Sequence, residues 1–317
     1  MKMEKFLKSV FLFLLFSMVF YVSLLCLLGD NVLKKANLNF VYKVGSYGHM
    51  NTRLKEINDY ENIDVLFLGS SHSYRGFDTR IFEKSNISSF NLGSSSQTPI
   101  QTEYLLNKYL DKLNPKVIVY EVYAGTFCFD GVESSVDLIA NSKNDFETIK
   151  MAAKQNNITV YNTLLFGFYK QLLNSNDDFK EPIVKKEDTY IKGGFVQRKM
   201  EELNDTKSFP KTNKWQFNEK QFLAFQEILK LIKSKNIKLL LVQSPITSKL
   251  YNSYTNNNVF DVRINKFGNY YNFNKLMNLD DKKYFYDYDH LNQKGVELYN
   301  KEIIKVVQKN IVNYTNH

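Results

Sequence analysis

The sequence predicts an α/β fold, a doubly wound parallel sheet preceded by an N-terminal transmembrane helix and interrupted by a helical insertion. Three observations predict it. Short apolar runs of strand length, IDVLFL at 63–68, VIVYEV at 117–122 and IKLLLV at 237–242, have the continuous character of strands covered on both faces. Stretches with helical spacing of apolar residues lie between them, the pattern of strand-helix crossovers. Nineteen residues without a charge, Val10 to Leu28, come first.

That first run, at about 1.5 Å rise per residue, reaches roughly the 30 Å of a hydrocarbon core. Lys2, Lys5 and Lys8 precede it, so the positive-inside rule predicts a cytoplasmic N-terminus and an exported remainder; Lys34 and Lys35 oppose that orientation. The run exceeds a usual signal-peptide core of about 7–15 residues, and no A-x-A-like cleavage site follows Leu28. We therefore read residues 1–30 as an uncleaved signal anchor, with a cleaved signal peptide as the rival. A lipoprotein is disfavoured because Leu25 precedes Cys26 where a small residue is needed.

Residues 31–61 read as a polar, partly helical stalk, and 62–317 as the α/β domain. Its first strand is IDVLFL, ending at Gly69, and its second covers Ser89 to Leu92. From Thr102 to Leu113, Tyr104, Leu105, Tyr109 and Leu113 recur at helical spacing, and Asn114-Pro115 stops the helix. VIVYEV is the third strand. Residues of about 125–215 have weak periodicity and many Asn, Asp and Lys, and read as a helical insertion with loops. An amphipathic helix over Phe217–Lys233 shows Phe222, Phe225, Ile228, Leu229 and Ile232 on one face. IKLLLV, a fifth strand at Tyr270–Phe273 and a terminal helix at Asn292–Lys309 complete the domain.

Composition narrows the chemistry. With 317 residues, 44% hydrophobic and 24% charged, the chain is an ordinary globular protein able to bury a core. Cys26 and Cys128 are its only cysteines, so neither a disulfide framework nor a Cys-based zinc site is available. No P-loop, G-x-G-x-x-G or zinc-ligand spacing occurs, so no metal and no cofactor is expected. A net charge of +9 suggests an anionic partner such as lipid headgroups or an acidic cell-wall polymer, or simply biased codon usage. Nucleic acid is not expected, because the lysines are scattered and no reading module accompanies them. The 21 Tyr and 25 Phe would suit a sugar-binding cleft, but most read as core and core-edge residues.

In a doubly wound sheet ligands sit beyond the carboxyl ends of the strands. Three segments rich in polar, potentially reactive residues fall there, after the first strand, after the second and just before the last helix. Gly69-Ser70-Ser71-His72-Ser73 follows the first strand, where a serine on a tight strand-to-helix turn exposes its hydroxyl; the plainer reading is a helix N-cap. Asp287-Tyr288-Asp289-His290 precedes the last helix, and its three-residue spacing lets Asp287 meet one imidazole nitrogen of His290 while the other faces the cleft. The plainer reading there is a surface turn, with Asp289 capping the last helix. His49 in the stalk and His317 at the terminus are not expected to be catalysts.

Together, FLGSSHS and DYDHLNQKG resemble the SGNH/GDSL hydrolase superfamily, whose sheet is flavodoxin-like. The resemblance covers roughly residues 62–123 and 236–310. It implies Ser71 as nucleophile, His290 as general base and Asp287 as its orienter, with Ser70 the fallback nucleophile. Gly-Ser-Ser in place of Gly-Asp-Ser, the anchor and HLNQKG are similar to a branch of cell-envelope acyl-transfer proteins, which includes the D-alanyl-lipoteichoic acid biosynthesis and alginate O-acetylation proteins. The superfamily's second block places Ser96 where a glycine N–H joins the oxyanion hole, with Gly93 the nearest glycine and Ser71 N–H a further donor. Its third block, Gly-x-Asn, is replaced by Glu121 and Tyr123. His72, Arg75 and Tyr123 are nominated as substrate contacts, with Arg75 also suited to bracing the turn by pairing with Asp78. The resemblance implies a membrane-anchored serine esterase or O-acyltransferase acting on an acylated cell-surface polysaccharide or teichoic-acid-like polymer. The alternative is a non-catalytic scaffold partnering a multi-pass membrane O-acyltransferase.

Overall fold

A computed structural model describes residues 2–33 and 39–312; Lys34, Lys35 and His317 lie outside them. The helices used below are α1 (Lys2–Leu28), α2 (Met50–Glu56), α3 (Ser71–Gly76), α4 (Thr79–Glu83), α5 (Pro99–Leu113), α6 (Val132–Asn141), α7 (Phe146–Gln155), α8 (Ile158–Leu172), α9 (Glu219–Ser234), α10 (Asn257–Asn265) and α11 (Gln293–Val312). The strands are β1 (Val65–Leu68), β2 (Ser89–Asn91), β3 (Val117–Glu121), β4 (Val184–Lys185), β5 (Asp188–Ile191), β6 (Phe195–Arg198), β7 (Lys238–Gln243) and β8 (Tyr270–Asn272). The chain divides into two compact units, Met1–Val44 with Ser135–Phe179 and Gly45–Ser134 with Lys180–His317.

The second unit is built on a five-stranded parallel sheet of order β2-β1-β3-β7-β8. Taken in chain order these strands run 2-1-3-4-5, the flavodoxin-like doubly wound arrangement, whose direction reverses beside β1. Both faces are covered, as the continuous apolar runs require. Val65, Phe67, Val117, Val119, Leu240 and Val242 point into one core with Phe77, Phe82 and, from α11, Tyr299, Ile303 and Val307. The alternate residues Leu66, Leu68, Ile118, Tyr120 and Leu241 are equally buried on the other face. There α5 packs against α9, and Tyr120 meets Phe225 with ring centroids 5.6 Å apart.

Helix α5 starts three residues before the expected Thr102. Thr98 forms a capping box with Gln101, and Pro99 occupies the first turn, where its missing N–H costs nothing.

Two stretches depart from expectation. Residues 45–61, read as stalk, belong to the α/β unit: Met50, Arg53, Leu54 and Ile57 are buried, as is His49. Arg53 donates to Gly194 O at 3.1 and 2.8 Å and lies over the Tyr74 and Tyr190 rings. A buried guanidinium satisfied by a backbone carbonyl makes a polar sequence look solvated when it is not. The insertion begins helically, with α6, α7 and α8, but then forms an antiparallel sheet β4-β5-β6. Its β5–β6 turn is Lys192-Gly193-Gly194, with both glycines at positive φ, a hairpin signal that the surrounding Asn, Asp and Lys obscure.

In the first unit, α1 is long and apolar enough to cross a membrane, with mean hydropathy 2.7. Its C-terminal end joins the unit through a cluster of Leu25, Phe40, Tyr42, Ala140 and Phe166, and Tyr21 OH donates to Asn162 Oδ1 at 2.6 Å.

Asn300 of α11 ties the corner between α3 and α4. It donates to Gly76 O at 2.6 Å and Val296 O at 2.7 Å and accepts from Asp78 N at 2.9 Å. Replacing it by Leu strands buried backbone groups at about 1–3 kcal/mol each. Asn300→Leu is expected to lower the unfolding free energy by about 2 kcal/mol or more, read in urea from the fluorescence of the single Trp215.

Candidate active site

The site lies at the carboxyl end of β1, where the strand turns directly into α3. Gly69 sits at the turn with φ +135°, and a Cβ there would fall 2.8 Å from Glu121 O of the neighbouring β3. No other residue fits this close approach without displacing β3. Ser70 is the N-cap, its Oγ accepting from His72 N at 3.4 Å, and Ser71 is the first helical residue. The turn is tied sideways to the exit of β2. Ser73 Oγ donates to Asn91 Oδ1 at 3.1 Å, and Asn91 Nδ2 donates to Ser73 O at 2.9 Å.

The segment before α11 is a tight loop, with Phe285 bridged to Leu291 and Tyr286 N donating to His290 O at 3.2 Å. Asn292 pins it, donating to Lys283 O at 2.9 Å. Asp287 Oδ1 accepts the N–H groups of Asp289 and His290 at 3.0 and 2.7 Å, so its carboxylate is fixed beside its own loop.

These two segments meet. Ser71 Oγ lies 2.8 Å from His290 Nε2, and His290 Nδ1 lies 3.0 and 3.1 Å from the two carboxylate oxygens of Asp287. Asp289 Oδ1 is also 3.1 Å from Nδ1. A proton on Nδ1 directed at the carboxylates leaves Nε2 to accept from the Ser71 hydroxyl. Burial opposes charge on His290, but Asp289 and Asp287 outweigh it, and its pKa is pushed up to about 10. Burial and the adjacent His290 push His72 down to about 4. Two rings stack against the His290 imidazole, His72 at 4.8 Å between centroids and Tyr286 at 5.6 Å.

A cavity of about 560 Å³ opens over this arrangement. Ser71, His290, Asp287, Ser96 and Ser70 line it, as do the three residues nominated as substrate contacts. Ser96 has φ +49°, a left-handed conformation that costs a serine on the order of 1 kcal/mol and is retained where surrounding structure imposes it. Its loop is held by Glu133, which accepts from Ser95 Oγ at 2.7 Å and Ser96 Oγ at 3.2 Å. The backbone N–H groups of Ser71 and Ser96 have no acceptor among the described residues.

Gly93 differs from expectation: its N–H donates to Asn91 Oδ1 at 2.9 Å and is not offered to the cavity. Arg75 does not pair with Asp78. It makes a two-pronged pair with Asp188 of β5 at 2.8 and 2.7 Å, while Asp78 pairs with Arg80 at 2.6 Å. Asp188 meets the guanidinium fork with both carboxylate oxygens, whereas Asp78 lies beyond the end of α3 and is taken up as the N-cap of α4 and by the Arg80 side chain. His72 and Tyr123 are mostly buried, their rings in tilted contact with centroids 4.2 Å apart. Asp289, Tyr286, Arg198 and Glu201 also border the cavity; the sequence nominated none of them as a site residue, Asp289 being read only as a helix cap. Only Asp289 and Tyr286 had a signal, their closeness to His290 in the chain.

His72, Asp289 and His290 offer nitrogen and oxygen atoms within 4.8 Å of one another. The two imidazoles are stacked with planes only 17° apart, so their in-plane lone pairs run side by side and do not converge on one ion.

No protein-family model and no curated protein matches the chain. Among solved structures, it is similar to a putative acylhydrolase from Bacteroides fragilis, with TM-score 0.40 and 12% identity over 84% of this chain and 99% of that one. It is similar also to a GDSL-like lipase from Bacteroides thetaiotaomicron, with TM-score 0.40 and 12% identity over 83% and 98%. A gut microbial diltiazem-metabolizing enzyme matches with TM-score 0.27 and 11% identity over 78% and 47%. The chemistry of this chain is therefore read from its own side chains.

Glu121, beneath the turn, is buried, accepts Ser244 N–H at 3.3 Å, and burial pushes its pKa up to about 8. A carboxyl whose folded pKa is raised contributes stability below its unfolded value, near 4.5, that is lost as pH rises through about 8. Between those two values the loss approaches about 1.4 kcal/mol for each pH unit, and Glu121→Gln is expected to flatten it. Urea midpoints at pH 5 and pH 9 check this; parallel curves for both proteins refute it.

Proposed function

We propose that this chain is a membrane-anchored serine esterase or O-acyltransferase acting on acyl esters of a cell-envelope glycopolymer. The observation that carries the reading is the 2.8 Å contact of Ser71 Oγ with His290 Nε2, with Asp287 3.0 Å from the opposite ring nitrogen. Serine, imidazole and carboxylate in that order are what nucleophilic acyl transfer requires.

In this mechanism Ser71 Oγ bonds to the ester carbonyl carbon as its proton passes to His290 Nε2. The carbonyl oxygen becomes an oxyanion, for which the N–H groups of Ser71 and Ser96 are the available donors. Collapse breaks the ester C–O bond, and the departing alcohol takes the proton from His290. The acyl group remains on Ser71. Water or a polymer hydroxyl then attacks while His290 again accepts the proton, releasing an acid or a new ester. Asp287 holds the imidazole and its positive charge throughout.

The glycopolymer reading is supported by a cavity of about 560 Å³ bordered by Tyr123, Phe129, Arg198 and Glu201, a mixture of rings, donors and acceptors suited to a polyol. Anchoring is supported by α1, and the lysines before its apolar run favour a single pass with the α/β unit outside. The net charge favours an anionic polymer or headgroups.

A second reading, the non-catalytic scaffold beside a multi-pass membrane O-acyltransferase, is favoured by one observation. A His290 pKa near 10 leaves the imidazole protonated at neutral pH, without a lone pair for the Ser71 proton.

The discriminating experiment is fluorophosphonate labelling of the full-length chain in detergent micelles, with mass mapping of the modified peptide. Label on Ser71 is expected. Its rate should rise about tenfold per pH unit below about 10, as His290 loses its proton. Ser71→Ala or His290→Ala should reduce ester hydrolysis by at least ~10³-fold. Unlabelled folded protein at every pH favours the scaffold, and undiminished hydrolysis in Ser71→Ala refutes the enzyme reading.

A further inference from the structure

We propose that Asp289 is a second carboxylate partner of His290, a positioning residue that acts beside Asp287 on the same ring nitrogen. The inference rests on the serine-hydrolase reading for its catalytic consequence, but its geometry stands apart from it. Asp289 Oδ1 is 3.1 Å from His290 Nδ1, as near as either oxygen of Asp287, at 3.0 and 3.1 Å. The Nδ1–H is hydrogen-bonded to Asp287, and the Asp289 carboxylate stands beside the same nitrogen at ion-pair distance. Asp287 Oδ1 is also occupied by two backbone N–H groups, which makes it the anchor of the loop as much as a partner of the ring.

The imidazole cannot easily turn away from this pair. His72 and Tyr286 stack against it, with ring planes 17° and 6° from its own, and Nε2 is engaged by Ser71. A carboxylate at either position therefore meets a ring already held at the right angle. Other ionisable groups face the histidine from its surroundings. On its own loop these are Tyr286, Asp287 and Asp289; from α3 come His72 and Arg75, the latter neutralised by Asp188. Glu121 lies at the end of β3, and Arg198 and Glu201 border the cavity from the insertion. Of these, Asp287 and Asp289 alone contact the Nδ1 edge among the described residues.

Two consequences separate this arrangement from a triad with one carboxylate. Loss of Asp287 leaves a carboxylate in reach, so the ring keeps its tautomer. Loss of Asp289 removes one of two negative charges and makes His290 easier to deprotonate, so activity at neutral pH increases. A merely structural Asp289 would do neither.

The test uses the full-length chain in micelles with two readouts. In the first, histidines carry ¹³Cε1 and the titration of His290 is followed by NMR in a Ser71→Ala background. Asp289→Asn is expected to lower its midpoint by about one pH unit, the change expected when a close opposite charge is removed. An unchanged midpoint overturns the proposal. In the second, fluorophosphonate labelling of Ser71 is compared across variants. Asp287→Ala should retain labelling within about 10²-fold, whereas the double variant Asp287→Ala/Asp289→Ala should fall by about 10⁴-fold, the loss seen when a triad histidine takes the wrong tautomer. Equal losses in the single and double variants overturn it. Absence of label on the wild-type chain with a lowered NMR midpoint in Asp289→Asn refutes the esterase reading and sustains the pairing.

Discussion

The placement of β1 between β2 and β3 governs the chemistry of this protein. A parallel sheet brings all its carboxyl ends to one edge, and the strand order reverses beside β1, so the chain leaving that strand emerges into an open crevice. The exit is so confined that Gly69 passes against the backbone of Glu121. The following residues turn immediately into α3, and Ser71 is carried to the edge and not into the core. Every other feature of the site is arranged around that corner, from Asn91 bonding it to the β2 exit to Glu121 supporting it from beneath.

Electrostatics at the corner are set by partners that drive two equally buried neighbouring imidazoles in opposite directions. His72 and His290 stack with centroids 4.8 Å apart, yet the first is driven toward neutrality and the second toward charge. The difference lies in what each Nδ1 meets. His72 Nδ1 lies 3.1 Å from Ser70 Oγ, a neutral hydroxyl, whereas His290 Nδ1 faces two carboxylates. Two adjacent imidazolium ions would repel, so a charged His290 itself disfavours charge on His72.

The insertion contributes to the wall and to rigidity. The β5–β6 hairpin receives the buried guanidinium of Arg53 at Gly194 O and presents Asp188 to Arg75 of α3. The helix carrying Ser71 is thus braced from a segment more than a hundred residues away, by a bidentate pair whose fork geometry a lysine could not reproduce. A segment without evident periodicity in the sequence becomes a support for the corner that carries the site.

The sequence by itself determined the strands and their covered faces. IDVLFL, VIVYEV and IKLLLV are apolar at nearly every position because helices cover both faces of the sheet they form, and that pattern needs no partner to be read. It likewise determined the apolar α1 and the segments holding Ser71, Asp287 and His290, because strand-end placement and local spacing are properties of consecutive residues. Only the tertiary structure decided what lies far apart in the chain. The 2.8 Å approach of Ser71 to His290 spans 219 positions, and Arg75 met Asp188 and not Asp78 because a hairpin folded back upon α3. The commitment of Gly93 N–H to Asn91, the burial of residues 45–61 and the closeness of Asp289 to Nδ1 are likewise tertiary outcomes. Hydrophobic periodicity records which residues avoid water, but carries no information about which buried polar group will satisfy which.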